Sequence, residues 1–164
     1  LLMIIHVPNK NTLIIDDFSL RCCVGKSGIN SNKKEGDCST PKGLFNLRKL
    51  YFRKDRVGIP KCKINKKIIK RDLAWCDDPK HKNYNEEIKT NNKNLKENLH
   101  RKDHKYDYII SISHNKRKIP GKGSAVFIHL TDNYKPTAGC VALKKKDFEI
   151  LLKLIDKKTK IKIG

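Results

Sequence analysis

The chain has 164 residues, of which 37% are hydrophobic and 34% charged, and its formal net charge is +21. Such a length suits one domain that buries roughly two thirds of its unfolded surface, so no disulfide framework is required, and no apolar run approaches the ~20 residues of a transmembrane segment. The charge favours an anionic partner, although the excess of Lys over Arg, with many Asn and Ile, is also expected from an AT-rich genome.

Six apolar or alternating runs bounded by turn residues predict β-strands. They are Met3 to Val7, Thr12 to Ile15, Ser19 to Val24, Leu44 to Phe52, Tyr108 to Ser113 and Ala125 to Leu130. Between the third and fourth runs, the stretches SGINSNKKEGD and STPKG contain Gly, Asn, Ser and a Pro-x-Gly turn, which interrupt regular structure.

The middle of the chain, residues 61–105, is dominated by Lys, Asn and Glu. This composition predicts a long insertion with loop and short helical parts, and insertions of this length are often functional. Four apolar anchors, among them Trp75, and the sequence CDDP indicate that part of the insertion packs. The other anchors are Ile68, Ile69 and Tyr84.

The end of the chain predicts one helix and one strand. Apolar residues recur near helical spacing while lysines occupy the other face, and TKIKIG then alternates as a strand does. The helical set is Leu143, Phe148, Leu151, Leu152 and Ile155. The predicted fold is therefore mainly β, a single domain over residues 1–164 with a long Lys/Asn-rich insertion and one C-terminal helix.

The six cysteines follow no metal-binding pattern, since no C-x-x-C pair occurs. The pairs Cys76 with His81 and His100 with His104 each lack a second pair of ligands that would complete a zinc site. No metal site is predicted. Cys22 and Cys23 are expected to pack in a strand, Cys38 to lie in a turn and Cys76 to lie beside Trp75.

The sequence FIHLTDNYKPTAGCVAL, residues 127–143, contains the residue types of a nucleophilic cysteine site. Such a site needs a base for the thiol proton and donors for the developing oxyanion. His129 ends a predicted strand, and Gly139 lets the backbone bend next to Cys140. These neighbours and the start of the downstream helix lead us to expect that the Cys140 thiol is ionised.

The stretch HLTDNYKPTAGC resembles the signature of the L,D-transpeptidase (YkuD-type) family, a His followed by a loop, Ser or Thr, any residue, Gly and Cys. A second segment, KKEGDCSTPKGLFNL, is similar to the T-P-x-G-x-F segment of that family. RCCVGKSGIN and GKGSAVFIHL extend the resemblance over most of the chain outside the insertion. It implies a β-sandwich of mixed sheets.

The resemblance also implies roles for individual residues. Cys140 matches the nucleophile, His129 the general base and Thr137 the hydroxyl residue that orients the histidine. The backbone amides of Ala138, Gly139 and Cys140 match the oxyanion hole. The implied substrates are peptidoglycan stem peptides, attacked without a cofactor through a thioester that an amine or water resolves.

That substrate implies a location in the periplasm or cell envelope. The first ten residues, LLMIIHVPNK, contain no basic region followed by a long apolar stretch, so no export signal is visible. The chain also begins at Leu1 rather than at a methionine.

Two positions depart from the family pattern, since many members have His at the position of Ala138 and a polar residue at the position of Ala142. Recognition of the substrate carboxylate is then expected to lie elsewhere, with Asp77, Asp78 and nearby lysines as candidates. His114, at the end of a predicted strand, is a further candidate, although a structural histidine is the simpler interpretation.

Three other functions remain open at this point. The same site would suit an L,D-carboxypeptidase or amidase that trims stem peptides, or a cysteine peptidase acting on ordinary L-peptides. The net charge would suit a nucleic-acid-binding module, but Arg is sparse and the aromatic residues fall in apolar runs, so no nucleic-acid partner is expected.

Overall fold

The computed structural model describes residues 2–92 and 96–164, and the regular secondary structure of this part is mainly strand. Its elements are β1 (Ile4–Asn9), β2 (Thr12–Ile15), β3 (Phe18–Arg21), β4 (Ile29–Asn30), β5 (Thr40–Pro41), β6 (Gly43–Phe52), α1 (Lys54–Val57), β7 (Asn65–Ile68), β8 (Leu73–Cys76), β9 (Glu87–Lys89), β10 (Lys96–Asn98), β11 (Tyr108–Ile112), β12 (Phe127–Leu130), β13 (Val141–Leu143), α2 (Lys145–Leu154) and β14 (Lys160–Ile163).

Nine strands form one mixed sheet in the order β13-β12-β11-β6-β14-β1-β2-β3, with β7 also paired to β6. The long strand β6 joins two halves of this sheet. Its first residues pair with β14, in the register Gly43 opposite Ile163, and its last residues pair with β11, in the register Phe52 opposite Tyr108. The predicted class, mainly β with mixed sheets and a C-terminal helix, is confirmed.

The two ends of the strand order meet. Cys23, just after β3, exchanges two backbone hydrogen bonds of 2.9 Å each with Ala142 in β13. The sheet thus curls around a main core, to which residues from Ile5 to Ile163 contribute. Because the closing bonds fall on β13, they support the strand that follows Cys140.

Within the described residues of the insertion, four short strands, β7 to β10, are joined by turns and loops. The predicted loops are therefore present, whereas the predicted short helical parts are wrong because strands take their place. β7 extends the main sheet, and β8 pairs with both β9 and β10. The apolar run LAWC forms β8, and its Leu73 and Trp75 pack with the outer face of the main sheet. The outer cluster contains Tyr51, Ile69, Leu73, Leu99, Tyr106, Ile109, Phe127 and Cys140.

The helix α2 buries Phe148, Leu151 and Leu152 against the main core, as its spacing predicts. Leu143, which the same spacing assigns to the helix, lies in β13 instead, because strand pairing with Leu130 takes this residue into the sheet. Neither helix in the described part of the chain is long and apolar enough to cross a membrane.

Candidate active site

His129 lies on the face of β12 that points away from the main core. Side chains alternate between the two faces of a strand. Ile128 and Leu130 therefore fill the main core, whereas Phe127 belongs to the outer cluster. The buried His129 ring meets the ring of Tyr106 edge-on, with 5.2 Å between their centroids.

Cys140 lies on the same face as His129, one diagonal step away. β12 and β13 run parallel with His129 opposite Ala142, and Cys140 precedes Ala142 by two residues. Residues two apart point to the same side of an extended chain. Cys140 also belongs to the outer cluster, and the Phe127 N–H donates to its Sγ at 3.3 Å. The two residues of the predicted pair thus share one buried site.

The turn before Cys140 is held by residues from both sequence motifs. The Thr137 hydroxyl donates to the Cys140 carbonyl oxygen at 2.6 Å and accepts from the Gly139 N–H at 3.1 Å. Thr40, in the second motif, donates its hydroxyl to the Gly139 carbonyl oxygen at 2.8 Å and accepts from the Gly25 N–H. Segments 99 residues apart in sequence are therefore joined at the site.

Gly139 has no room for a side chain. Its φ is +149°, and a Cβ built on it would lie 2.8 Å from the Ser39 carbonyl oxygen and 3.3 Å from Lys33 Nζ. Any larger residue would push the turn away from the Thr40 segment. The glycine of the motif is thus required by close packing between the two motifs as well as by its backbone angle.

Thr137 braces this turn, while the His129 ring is oriented by the backbone. His129 Nδ1 lies 2.8 Å from the Leu130 carbonyl oxygen. Because a carbonyl only accepts, Nδ1 holds the proton and Nε2 is left as the basic nitrogen. The bonds of the Thr137 hydroxyl run to the Cys140 turn rather than to His129.

The three amides expected at the oxyanion hole differ in availability. The Gly139 N–H is already donated to Thr137. The Ala138 and Cys140 N–H groups donate to no acceptor within residues 2–92 and 96–164. These two amides are therefore the donors that remain for a substrate oxygen.

Burial keeps both partners of the pair neutral. It raises the pKa of the Cys140 thiol to about 12, although the Phe127 N–H favours the thiolate, and it lowers the pKa of His129 to about 4. The Cys140 S–H donates to the Ala125 carbonyl oxygen at 3.3 Å. The expectation of an ionised thiol is therefore wrong, because the insertion excludes water and because β13 separates Cys140 from α2.

Trp75 and Leu99 of the insertion, with Tyr106 directly after it, cover the site. The Tyr106 hydroxyl donates to Glu97 at 2.7 Å, and its ring lies 6.1 Å from that of Phe127. The Trp75 ring packs edge-on against Phe127 with centroids 5.1 Å apart. Cys140 is left with 8% of its surface exposed, so substrate access requires movement of this cover.

Asn85 fastens the insertion to the segment before β12. Its Oδ1 accepts from Trp75 Nε1 at 2.9 Å and from the Ala125 N–H at 3.1 Å. Its Nδ2 donates to the carbonyl oxygens of His114 and Asn115. Ala125, with φ of +53°, therefore links Asn85 to the nucleophile: its N–H donates to Asn85, and its carbonyl oxygen accepts from the Cys140 thiol.

Asp77 and Asp78 lie at the end of β8, but they are poorly suited to bind a carboxylate. Burial raises the pKa of Asp77, and the nearby carboxylates of Glu97 and Glu35 raise it further. Asp78 forms a surface turn, in which its Oδ1 accepts from the Lys80 N–H. A negative neighbourhood repels a second carboxylate, so this part of the substrate prediction lacks support.

His114 has structural contacts. Its Nε2 lies 3.0 Å from the Lys122 carbonyl oxygen, and its ring meets Phe45 edge-on at 5.6 Å. Burial lowers its pKa. The simpler of the two sequence interpretations, a structural histidine, fits these contacts.

A groove of about 1160 Å³ runs along the outer face of the sheet beside the insertion. Trp75 lines this groove and also packs against Phe127, next to Cys140. Its two acidic residues are paired with lysines, Glu86 with Lys118 and Glu87 with Lys49. The other charged residues of the lining are Arg48, Lys116, Lys157, Lys158 and Lys160, so the groove is basic.

Several residues of the site escape prediction from sequence. Asn85 belongs to the insertion and Tyr106 directly follows it, and no motif distinguishes either residue from its neighbours. Lys33 lies in a lysine-rich stretch that resembles a solvated loop. Within the described residues, no group of three Cys, His, Asp or Glu side chains is placed to hold a metal ion.

Comparison with known proteins gives the family of this chain. The model of the L,D-transpeptidase catalytic domain family (YkuD) matches residues 3–163. Since the match spans nearly the whole sequence, the chain belongs to this family, whose members act on peptidoglycan. Comparison with curated proteins finds no match.

Solved structures with the same fold include the helical cell shape determining protein Pgp2 from Campylobacter jejuni, with a TM-score of 0.56 and 17% identity. A point variant of Pgp2 gives 0.54 at 17% identity, and Bd1075 from Bdellovibrio bacteriovorus gives 0.49 at 15%. Each alignment covers 99% of this chain and 47% of the other. The chain therefore spans about half the length of these structures.

Proposed function

We propose that this chain is a cysteine acyltransferase of the L,D-transpeptidase type that acts on peptidoglycan stem peptides, with Cys140 as nucleophile and His129 as general base. The observation that supports it most is the position of Cys140 and His129 on one buried face, beside a turn built from both motifs. Peptidoglycan lies outside the cytoplasmic membrane, so we infer that the protein acts in the cell envelope.

The first half of the proposed reaction forms a thioester. His129 Nε2 takes the proton of the Cys140 thiol while the sulfur attacks the carbonyl carbon before the terminal D-residue. The Ala138 and Cys140 N–H groups stabilise the negative charge on the carbonyl oxygen. The C–N bond then breaks, and the departing amine takes the proton from His129.

The second half releases the acyl group. An acceptor amine attacks the thioester and gives a proton to His129, which returns it to the Cys140 sulfur as the C–S bond breaks. With an amine as acceptor the product is a cross-link, and with water it is a trimmed stem. The neutral resting state of the pair suits this sequence, because charges form only when substrate replaces the insertion over the thiol.

The proposal is tested by mass spectrometry of purified peptidoglycan fragments incubated with the protein. We expect loss of the terminal D-residue, with cross-linked dimers if an amine is the acceptor and shortened monomers if water is. Cys140→Ser should abolish both products. His129→Ala should slow the reaction on the order of 10²–10⁴-fold, the usual effect of losing a general base.

A carbapenem, which mimics the acyl donor of this family, provides a second readout. We expect one adduct, located on Cys140 by peptide mapping and absent in Cys140→Ser. An adduct on any of the other five cysteines, or turnover that persists in Cys140→Ser, contradicts the mechanism. Cys22→Ser, at a buried thiol in the main core, is the matched control and should keep the Cys140 adduct.

A further inference from the structure

Lys33 is unusual among the lysines of this protein because its side chain is buried, with 5% exposed. It is the one buried lysine among those whose side chains the structure describes. A buried ammonium is costly unless it is paired, and such groups are often functional. The residue lies between β4 and β5, in the segment that leads to the second motif.

The ammonium of Lys33 is held in a fixed position. Its Nζ donates to Asp37 Oδ1 at 2.8 Å and to the Lys34 carbonyl oxygen at 3.3 Å. Asp37 in turn accepts from the Lys34 N–H and from the N–H and hydroxyl of Ser39. Burial would raise the pKa of Asp37, but these donors, Lys33 first, hold it well below its usual range, so the pair is charged.

This fixed charge lies against the turn that presents the nucleophile. Lys33 Nζ is 3.3 Å from the place where a Cβ on Gly139 would lie, and its Cε is 3.3 Å from the corresponding place on Gly123. Two of the three N–H donors of the ammonium are used by Asp37 and Lys34. Of the two charged side chains that act on the Cys140 thiol, the carboxylate of Glu97 has the larger effect and raises its pKa, and the ammonium of Lys33 lowers it.

Within the turn itself, residues 137–140, no side chain is positively charged. Lys105 and Arg101 also act on the site, through His129, but neither is buried. Ala138 and Ala142 carry only methyl side chains, and the fully buried Ala142 lies opposite His129. A negative charge that forms on the sulfur or on a carbonyl oxygen at this turn therefore meets one buried positive side chain, that of Lys33. In a site that excludes water, such a charge acts strongly and at short range.

We propose that Lys33 is the cationic positioning residue of this site, a preoriented ammonium that stabilises the negative charge developing at the Cys140 turn. The proposal rests on the proposed function, since it takes Cys140 as the nucleophile. Lys33 keeps its proton throughout: the thiol proton moves to His129, and the Lys33 charge lowers the energy of the resulting thiolate and oxyanion.

The test is the rate of alkylation of Cys140 at pH 8.5, followed by peptide mapping, with neutral iodoacetamide and with anionic iodoacetate. In Lys33→Met we expect the iodoacetamide rate to fall about tenfold, which corresponds to one pKa unit of the thiol. The iodoacetate rate should fall a further few-fold, because the anion also loses its attraction to the ammonium. Lys33→Arg should restore most of both rates.

Lys34→Met is the matched control, because it removes the same charge from the neighbouring, exposed position of one loop. It should leave both rates within about twofold of the wild type, as expected for a screened surface charge. If Lys33→Met behaves like Lys34→Met, the proposal is wrong. It is also wrong if both reagents slow equally and Lys33→Arg does not recover, since that pattern indicates a purely structural role.

A second pair of variants protects the test against misfolding of Lys33→Met. Lys33→Met with Asp37→Asn removes both charges and should give the same slowing, whereas Asp37→Asn alone leaves the ammonium uncompensated and should accelerate both reagents. A slower alkylation rate in the double variant together with a faster rate in Asp37→Asn supports the proposal. A change of the rate in the same direction in both variants overturns it. Alkylation needs no substrate, so a wild type that alkylates normally but never turns over stem peptides contradicts the proposed function instead.

Discussion

His129 and Cys140 are each shifted toward their neutral form by the same cause, exclusion of water. An imidazole loses its charge when buried and a thiol keeps its proton, so burial pushes their pKa values in opposite directions. The pair therefore rests as imidazole and thiol rather than as an ion pair. In the proposed mechanism, reactivity then comes from groups that stabilise charge during the reaction, among them the amides of the turn and the ammonium of Lys33.

Burial of neutral His129 makes folding sensitive to acid. Its folded-state pKa of about 4 lies below the ordinary value of 6.5, so the stability it contributes is complete above pH 6.5 and is lost as the pH falls toward 4. The loss should amount to roughly 3 kcal/mol at 1.36 kcal/mol per unit. Urea unfolding measured from pH 7 to pH 4 tests this.

In that series His129→Gln, which cannot titrate, should show a flatter dependence of unfolding free energy on pH. Cys140→Ser keeps His129 and should follow the wild-type dependence, and it serves as the control. Equal pH dependence in the wild type and His129→Gln would mean that the histidine is not buried in its neutral form.

At the scale of elements, the short strand β5 matters because Thr40 joins it to the Cys140 turn. Thr40 is fully buried, and its hydroxyl is donor to Gly139 and acceptor for Gly25. Thr40→Val keeps the shape but leaves two buried backbone groups without a partner, at a cost of about 1–3 kcal/mol. We also expect at least tenfold slower carbapenem acylation of Cys140.

Thr159→Val separates the loss of stability from the loss of reactivity at Cys140. Thr159 is buried as well, and it is bonded to Asp156 near β14, remote from the site. The variant should lose comparable stability in thermal unfolding while Cys140 reacts at the wild-type rate. If Thr40→Val also reacts at the wild-type rate, the link between the two motifs has no role in the reaction.

The insertion is the element that controls access to Cys140, and Asn85 holds it closed. Asn85→Gly keeps the left-handed backbone, since φ is +58° at this position, but removes the four hydrogen bonds of the side chain. We expect faster amide hydrogen exchange in β8 and β9 and several-fold faster alkylation of Cys140.

Asn65→Ala, at an exposed position of β7, removes an asparagine outside this set of bonds and should leave both measurements unchanged. Faster hydrogen exchange without faster alkylation in Asn85→Gly would show that another part of the insertion controls access to the thiol.

At the scale of the whole molecule, the net charge of +21 is concentrated in part along the basic groove beside the insertion. If this surface holds an acidic polymer, activity on intact sacculi should fall at least fivefold between about 0.05 and 0.5 M NaCl, as the screening length shortens from about 14 to about 4 Å. Activity on a small soluble stem peptide should change little. Equal salt dependence for the two substrates favours codon composition as the source of the charge.

The parallel pairing of β1 with β14 brings distant parts of the sequence into one sheet. Residues from both ends of the described chain also enter the same main core. We propose on these grounds that residues 1–164 form one domain, with the insertion as its cover. Cooperative unfolding in a single transition, monitored by Trp75 fluorescence and by far-UV circular dichroism, is the expected behaviour.

Seven of the nine strands of the main sheet, the late helix and the family could be predicted from the sequence, whereas β7 and β13 were not predicted as strands. The apolar runs Tyr108 to Ser113 and Ala125 to Leu130 are local signals, because a short continuous apolar run bounded by turn residues is typical of a strand buried on both faces. The motif around Cys140 is also local, and it identifies the family without any knowledge of contacts. The strand ends differ from prediction by one to three residues, as at Ala125, where Asn85 holds the backbone outside the strand.

The ionisation of the site and the identity of the residues around it depend on tertiary contacts, and these could not be predicted from the sequence. The pKa of Cys140 depends on how much water the insertion excludes, and that depends on strands whose apolar residues are too few and too scattered to be recognised in sequence. Thr40 and Lys33 reach the Cys140 turn across about a hundred residues. Contacts between distant segments arise from packing of the whole chain. Composition and spacing are local features, so they do not predict these contacts.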